Sequence, residues 1–278
     1  MHASRTFRIT MTAVAVIVSL LFLAPVLWLV ASTFRTATET FANSSPVGWS
    51  TLWPQHWTTV NLSSAIDNGF LRSLGNSIVV AGVTVVVGLA ISAMAAYALA
   101  VIPFRGRSAV FTIVVLSFLV SFEAIAIPLS QSFSDWGLSN SLVALILPGL
   151  GNGLVVFTLR QFFLGVPPSL AEAAKLDGAG PFRTFWSVYL PLTKPALIGA
   201  GLILFLFQWQ AYLWPLLIIS HSSLDLAPVT ISKAFGGFST DYGRVFAETA
   251  ILAVIPAGVL LALQRYFVTS VASTGSKE

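Results

Sequence analysis

The sequence predicts an all-α membrane protein built from six transmembrane helices. Three observations carry this. Of its 278 residues, 56% are hydrophobic and only 9% charged, where a soluble domain carries about 25% charged residues. Mean hydropathy is +0.88, and the apolar residues gather in long runs. Six of these runs can cross about 30 Å of hydrocarbon at about 1.5 Å per residue. They cover residues 10–34, 74–102, 109–131, 139–162, 195–219 and 243–268.

The first run follows Arg5 and Arg8 and holds mostly apolar residues. A cleaved signal has a shorter apolar core and a small-residue cleavage site, so a retained span is expected. Each later run contains few charges. Pro25, Pro128, Pro148, Pro215 and Pro256 fall inside or near span ends. Proline is tolerated there when neighbours satisfy the freed carbonyls.

Orientation follows from the basic residues. With both termini inside, the inner side holds Arg5, Arg8, Arg105, Arg107, Arg160, Lys175, Arg183, Lys194, Arg265 and Lys277. The outer side holds Arg35, Arg72, Lys233 and Arg244. This bias supports an even number of spans with both ends cytoplasmic. The net charge of +4 is read as this same bias, with membrane lipid and not nucleic acid as the partner. Without cysteine there is no disulfide and no thiol-based metal or redox site.

Two loops fall outside. The segment near 35–73 carries Trp49, Trp53 and Trp57, which suit either an aromatic belt at the membrane interface or the cover of a partner protein. The segment near 220–242 is rich in turn residues. His221 lies there without a partner cluster and is expected to be non-functional.

Between the fourth and fifth runs, residues 163–194 are polar enough to lie in the cytoplasm. "PPSLAEAAKLDGAGPF" (167–182) holds good helix formers. Ser169 and Glu172 have capping-box spacing, and Gly178 is placed to end the helix in a left-handed conformation. A second short helix starts near Pro181. Phe182, Phe185, Trp186, Tyr189 and Leu190 share one face by spacing, and Pro191 ends it. A helix this short is marginal alone. The small surface of Glu172, Ala173 and Ala174 suits either a docking element or a plain connector.

A resemblance bears on that choice. "EAAKLDGAGPFRTFWSVYLPL" resembles the EAA loop of ABC-importer permeases: Glu172-Ala173-Ala174, then Gly178, then Leu190-Pro191. Asp177-Gly178-Ala179 is similar to the form found in carbohydrate-uptake, maltose-type permeases. "QWQAYLWPL" (208–216) resembles their Trp-Asn-x-x-x-Trp-Pro pattern, with Gln210 where Asn is usual. The "LQRYFVTSVASTGSKE" ending fits as well. The resemblance spans nearly the whole chain and implies a type I ABC importer permease architecture in the cytoplasmic membrane of a prokaryote. It implies that the helix around Glu172, Ala173, Ala174, Asp177 and Gly178 is a coupling helix set in a cleft of a cytoplasmic ATP-binding subunit. The implied partners are two such subunits, a homologous second permease and an extracytoplasmic substrate-binding protein. The chain lacks G-x-x-x-x-G-K-[ST], so ATP and Mg are expected on the partner ATPase, with no cofactor, metal or catalytic residue here.

Ionisable residues inside spans are costly and therefore functional candidates. Glu123 and Glu248 are two, and both depart from the family pattern. They suit a water-filled ligand cavity, a structural bond between helices, or a reach to the interface. Gln208, Trp209, Gln210 and Tyr212 form a polar-aromatic patch in the fifth run, suited to lining a substrate pathway or to helix packing. Asn152 in "LPGLGNGLVV" is a weaker candidate of the same kind. The expected cargo is a sugar, oligosaccharide or amino-sugar, with a glycerol-phosphate type as the alternative. A secondary transporter would use Glu123 and Glu248 as ion sites, but such folds often show internal repeats, and none is visible.

Overall fold

The computed structural model describes residues 5–42, 48–235 and 240–274, and the side chains of 7–42, 48–235 and 240–265. The side chain of Arg5, the side chains of the "LQRYFVTSVASTGSKE" ending beyond Arg265, and its last four residues, Lys277 among them, lie outside that description. Fifteen helices, besides one 3₁₀ turn at Ser222–Leu224, follow one another in the described residues. They are α1 (Arg5–Thr33), α2 (Ala37–Ala42), α3 (Trp49–Leu52), α4 (Val60–Asp67), α5 (Phe70–Val101), α6 (Arg107–Leu119), α7 (Phe122–Asp135), α8 (Leu142–Leu150), α9 (Gly153–Leu164), α10 (Pro168–Leu176), α11 (Pro181–Leu192), α12 (Lys194–Trp209), α13 (Leu213–Ile218), α14 (Ala227–Lys233) and α15 (Tyr242–Thr274).

Three of them, α1, α5 and α15, are long and apolar enough to cross a membrane unbroken. Three more candidates are bent pairs. α6 and α7 meet at 98°, α8 and α9 at 41°, and α11 and α12 at 85°. Counting each pair as one span gives six. The run at 109–131 is therefore not one straight helix: Val120 and Ser121 are extended and separate its halves. The run at 195–219 also breaks, because α12 stops at Trp209 and α13 resumes at Leu213. Pro215 supplies the reason, since its ring clashes with the carbonyl four residues back, at Ala211 inside the break.

The chain divides into two compact units, 1–72 with 230–255, and 73–229 with 256–278. In the first unit, α1 leaves most of its apolar side chains exposed from Phe7 to Val30, as a lipid-facing helix does. Trp28 packs edge-on against Phe246, with ring centroids 5.2 Å apart. Arg35 is fully buried after α1, where a cation complements the negative helix end.

In the second unit two apolar cores form. One gathers Ala93, Ala96 and Tyr97 of α5, Leu159 and Phe163 of α9, Phe185 and Tyr189 of α11, and Ala200 and Leu204 of α12. The other gathers Val80 of α5, Phe133 of α7, Leu145 of α8, and Trp214 and Ile218 of α13. The same helix, α5, passes through both. The helix breaks at 120–121, 151–152 and 210–212 lie between the elements of one core and those of the other.

Candidate coupling helix and interrupted-helix layer

Residues 167–178 fold as a short, closed unit. α10 spans nine residues. Its N-terminus differs from the capping-box expectation. Pro168 takes the first helical position and Pro167 stands at the cap, without a side-chain cap hydrogen bond. Proline's fixed φ favours that start, so Ser169 falls inside the first turn and does not cap.

The C-terminus is as expected. Gly178 has φ +76°, Gly178 N–H donates to Lys175 O at 3.0 Å, and Ala179 N–H donates to Ala174 O at 2.9 Å. This is the paired Schellman pattern, which satisfies the last carbonyls of the helix. Glu172, Ala173, Asp177 and Gly178 are exposed, Ala174 is half-buried and Ala171 is buried. One edge of α10 is thus sunk in the protein while the family-like Glu-Ala surface stays open.

What holds α10 is an aromatic box. Tyr97 packs on Phe185 and Tyr189 at 5.0 and 5.1 Å between ring centroids, and Phe163 lies 5.8 Å from Tyr189. Tyr97 Oη donates to Pro181 O at 3.0 Å. Arg160 adds a tie: its Nε donates to Leu99 O at 3.0 Å, and its guanidinium lies 3.9 Å over Phe111.

α11 departs from the single-face expectation. Phe185 and Tyr189 are buried, but Phe182 is 70% and Trp186 64% exposed. Residues 185–189 form a π turn, which is wider than an α turn. Phe182 and Trp186 therefore stack on each other, centroids 6.5 Å apart, on a second face.

The three breaks of the second unit adjoin one another. A side-chain carbon added at Gly149 would lie 2.7 Å from both Gln208 Oε1 and Thr84 Cγ2, so α8, α12 and α5 meet at that residue. One added at Gly153 would lie 2.7 Å from Val114 O and 3.1 Å from Phe118 Cβ, which places the start of α9 against α6. Phe122 packs edge-on against Trp214 at 5.8 Å, joining α7 to α13. Trp214 Nε1 donates to Ala144 O at 2.9 Å.

Most of the polar residues singled out in the sequence stand at these breaks. Asn152 caps α9, its Oδ1 accepting from Val155 N–H at 3.1 Å. Glu123 sits in the first turn of α7, exposed, and accepts from Ser121 Oγ. A carboxylate there complements the positive helix end. Gln210 and Tyr212 flank the third break and are exposed, while Gln208 is half-buried. Trp209 is 4% exposed, and its Nε1, like Thr84 Oγ1, is buried without a hydrogen-bond partner among the described residues.

Glu248 is elsewhere, in the first unit. It is fully buried, and its Oε1 accepts from Arg244 Nε at 2.7 Å one turn earlier on α15. His221 N–H donates to Asn140 Oδ1 at 3.2 Å. No cluster of three or more metal-ligating side chains occurs among the described residues.

Sequence reading missed Thr84, Ser121 and Tyr97. Ser121 followed by Glu123 inside an apolar run is a helix-start signal that could have exposed the first break. Thr84 and Tyr97 carry no local signal.

Comparison with known proteins adds an independent line. Residues 88–272 match the family described as binding-protein-dependent transport system inner membrane component. The chain is 30% identical over 256 residues to the arabinooligosaccharides transport system permease protein AraQ of Halalkalibacterium halodurans, covering 91% of this chain and 90% of that one. It is 34% identical over 225 residues to the sn-glycerol-3-phosphate transport system permease protein UgpE of Rhizobium meliloti, covering 77% and 79%. The fold is similar to a chain of a bacterial ABC transporter involved in the import of the acidic polysaccharide alginate, with TM-score 0.81 and 22% identity. That likeness covers 96% of this chain and 99% of the other.

Proposed function

Since the chain belongs to the family of binding-protein-dependent transport system inner membrane components, we propose that it is the permease subunit of an ATP-driven importer that moves a carbohydrate across the cytoplasmic membrane. The observation that carries the reading is α10. It is a helix closed by Gly178, exposed on its Glu172-Ala173 surface and held to the ends of α5, α9 and α12 through the aromatic box.

A cytoplasmic ATP-binding subunit docks on that surface, and its movement is passed to the spans through the box. ATP and Mg belong to that subunit, and no covalent chemistry occurs in this chain. Two such subunits, a second permease and an extracytoplasmic binding protein complete the assembly, with both termini cytoplasmic. The cargo passes along the layer where α6/α7, α8/α9 and α12/α13 are interrupted. Gln210, Tyr212, Asn152 and Glu123 supply hydroxyl-binding groups there. Irregular backbone at membrane depth is expected only where it is buried or lines a cavity, which supports this placement. We assign Glu248 to its ion pair with Arg244 and not to the pathway.

One second reading has a specific basis. The likeness to the glycerol-3-phosphate permease supports a small phosphorylated polyol as cargo. Reconstituting the whole complex in vesicles with its binding protein, and measuring ATP-dependent uptake of labelled arabino-oligosaccharide against sn-glycerol-3-phosphate, tests both. Saccharide uptake supports the main reading. Uptake of the phosphate alone replaces it.

A further inference from the structure

The sequence left Trp49, Trp53 and Trp57 between two roles, and the coupling mechanism uses none of them. They are 78%, 54% and 58% exposed. They are not scattered. Trp49 stacks on Trp53 at 6.3 Å, Trp53 meets Trp57 edge-on at 5.4 Å, and Trp57 lies 5.6 Å from Phe34. Phe34 is the residue that follows α1. The aromatic strip therefore continues the apolar helix outward from its very end.

Two charged residues fix the strip from both sides. The buried Arg35 donates through Nη1 to Ser50 O at 3.2 Å and through Nη2 to Thr51 O at 3.0 Å, while its Nε bonds Ala31 O at 3.3 Å. Glu39 Oε1 accepts from Gln55 N–H at 2.7 Å and from His56 N–H at 3.5 Å. The backbone on either side of Trp53 is thus clamped to the segment just after α1. Exposed tryptophans on a mobile loop would need no such clamps.

We propose that this strip is a membrane-interface anchor whose partner is lipid. It lies among glycerol and headgroup atoms at the Thr33 end of α1 and sets the depth of that span. Tryptophan suits this zone, because its ring body is apolar while its N–H seeks a polar partner. Residues 48–58 carry no Asp, Glu, Lys or Arg, so nothing in the strip opposes entry into the interface. Continuity with the exposed, apolar α1 favours lipid over a docked protein.

The test reconstitutes the full complex in phosphatidylcholine–phosphatidylglycerol vesicles whose acyl chains are brominated either near the glycerol or near the chain terminus. The emission that disappears in the Trp49→Phe/Trp53→Phe/Trp57→Phe variant isolates the strip. That component is expected to be quenched more strongly by the shallow bromines than by the deep ones, and poorly by aqueous iodide. Strong quenching by iodide with none by either lipid overturns the proposal. Protection from iodide only when the binding protein is added would assign the strip to protein docking and overturn it equally. Should the triple variant fail to assemble, the difference between wild type and Trp49→Phe alone makes the same discrimination.

Discussion

At one end of the second unit, three rings close around Tyr97, whose hydroxyl is bonded to Pro181 O. Further along the same α5, Thr84 Oγ1 is buried without a partner among the described residues, and Trp209 Nε1 on α12 is in the same condition. The coupling end is closed around a hydrogen-bonded Tyr97. The interrupted layer is polar, broken in three places, and leaves buried groups that require a partner. A tightly packed region moves as one piece, because packed interiors yield little to strain. A region of helix ends has the freedom to rearrange and the polar groups to meet a cargo. On the proposed function, force and passage fall to different parts of one small unit, joined by shared helices.

The comparison can be broken from the coupling side first. Glu172→Trp puts a bulky ring on the open surface of α10. Uptake is expected to fall by more than about tenfold, the factor that about 1.4 kcal/mol represents. Co-purification of the ATP-binding subunit and ATP-driven uptake measure it. Normal assembly and normal transport would remove α10 from the coupling role.

Next comes Gly149→Val, which drives a side chain into Gln208 and Thr84. Overpacking costs about 1–3 kcal/mol. Uptake is expected to drop while the ATP-binding subunit still co-purifies, a separation that a purely global defect would not give. Asn152→Ala removes the cap of α9 and costs about 1 kcal/mol, read as a lower midpoint in thermal unfolding of the detergent-purified complex. The smallest effect is expected from Glu123→Gln. It removes a charge from the first turn of α7 while keeping a side chain that can hydrogen-bond, and is read as a modest weakening of uptake. Unchanged uptake and affinity would leave Glu123 a purely structural role.

How much of this was legible depends on the range of the physics involved. The ends of α10 are set within a few residues. Gly178 was readable because a left-handed closing position favours glycine. The capping box failed on a local conflict, since Ser169 sits behind two prolines and Pro168 claims the first turn. Six spans could be counted from hydropathy, but the 98° bend between α6 and α7 went unread, because no proline or glycine marks Val120–Ser121 and its one local sign is the Ser121–Glu123 helix start. Pro215 marks the third break, and its consequence four residues upstream was there to be drawn. The aromatic box was half legible: spacing gathered Phe185 and Tyr189, and wrongly included Phe182 and Trp186 because a π turn is not visible in a heptad-like pattern. Tyr97 and Thr84 depend on contacts across the fold, which spacing does not encode. The burial of Arg35 had no signal either, since its partners are backbone carbonyls.

On the proposed function, the interrupted layer is the passage, and the ATP-binding subunit changes its exposure through α10. The chain has no native cysteine, so Gln210→Cys places a single reporter at the third break. Its modification by a membrane-impermeant maleimide should be measured on this subunit by mass spectrometry, in the reconstituted complex without nucleotide and after ATP–vanadate trapping. Reactivity is expected to change clearly between the two states, and the change to disappear when Glu172→Trp is added. Equal reactivity in both states, with transport intact, would contradict it.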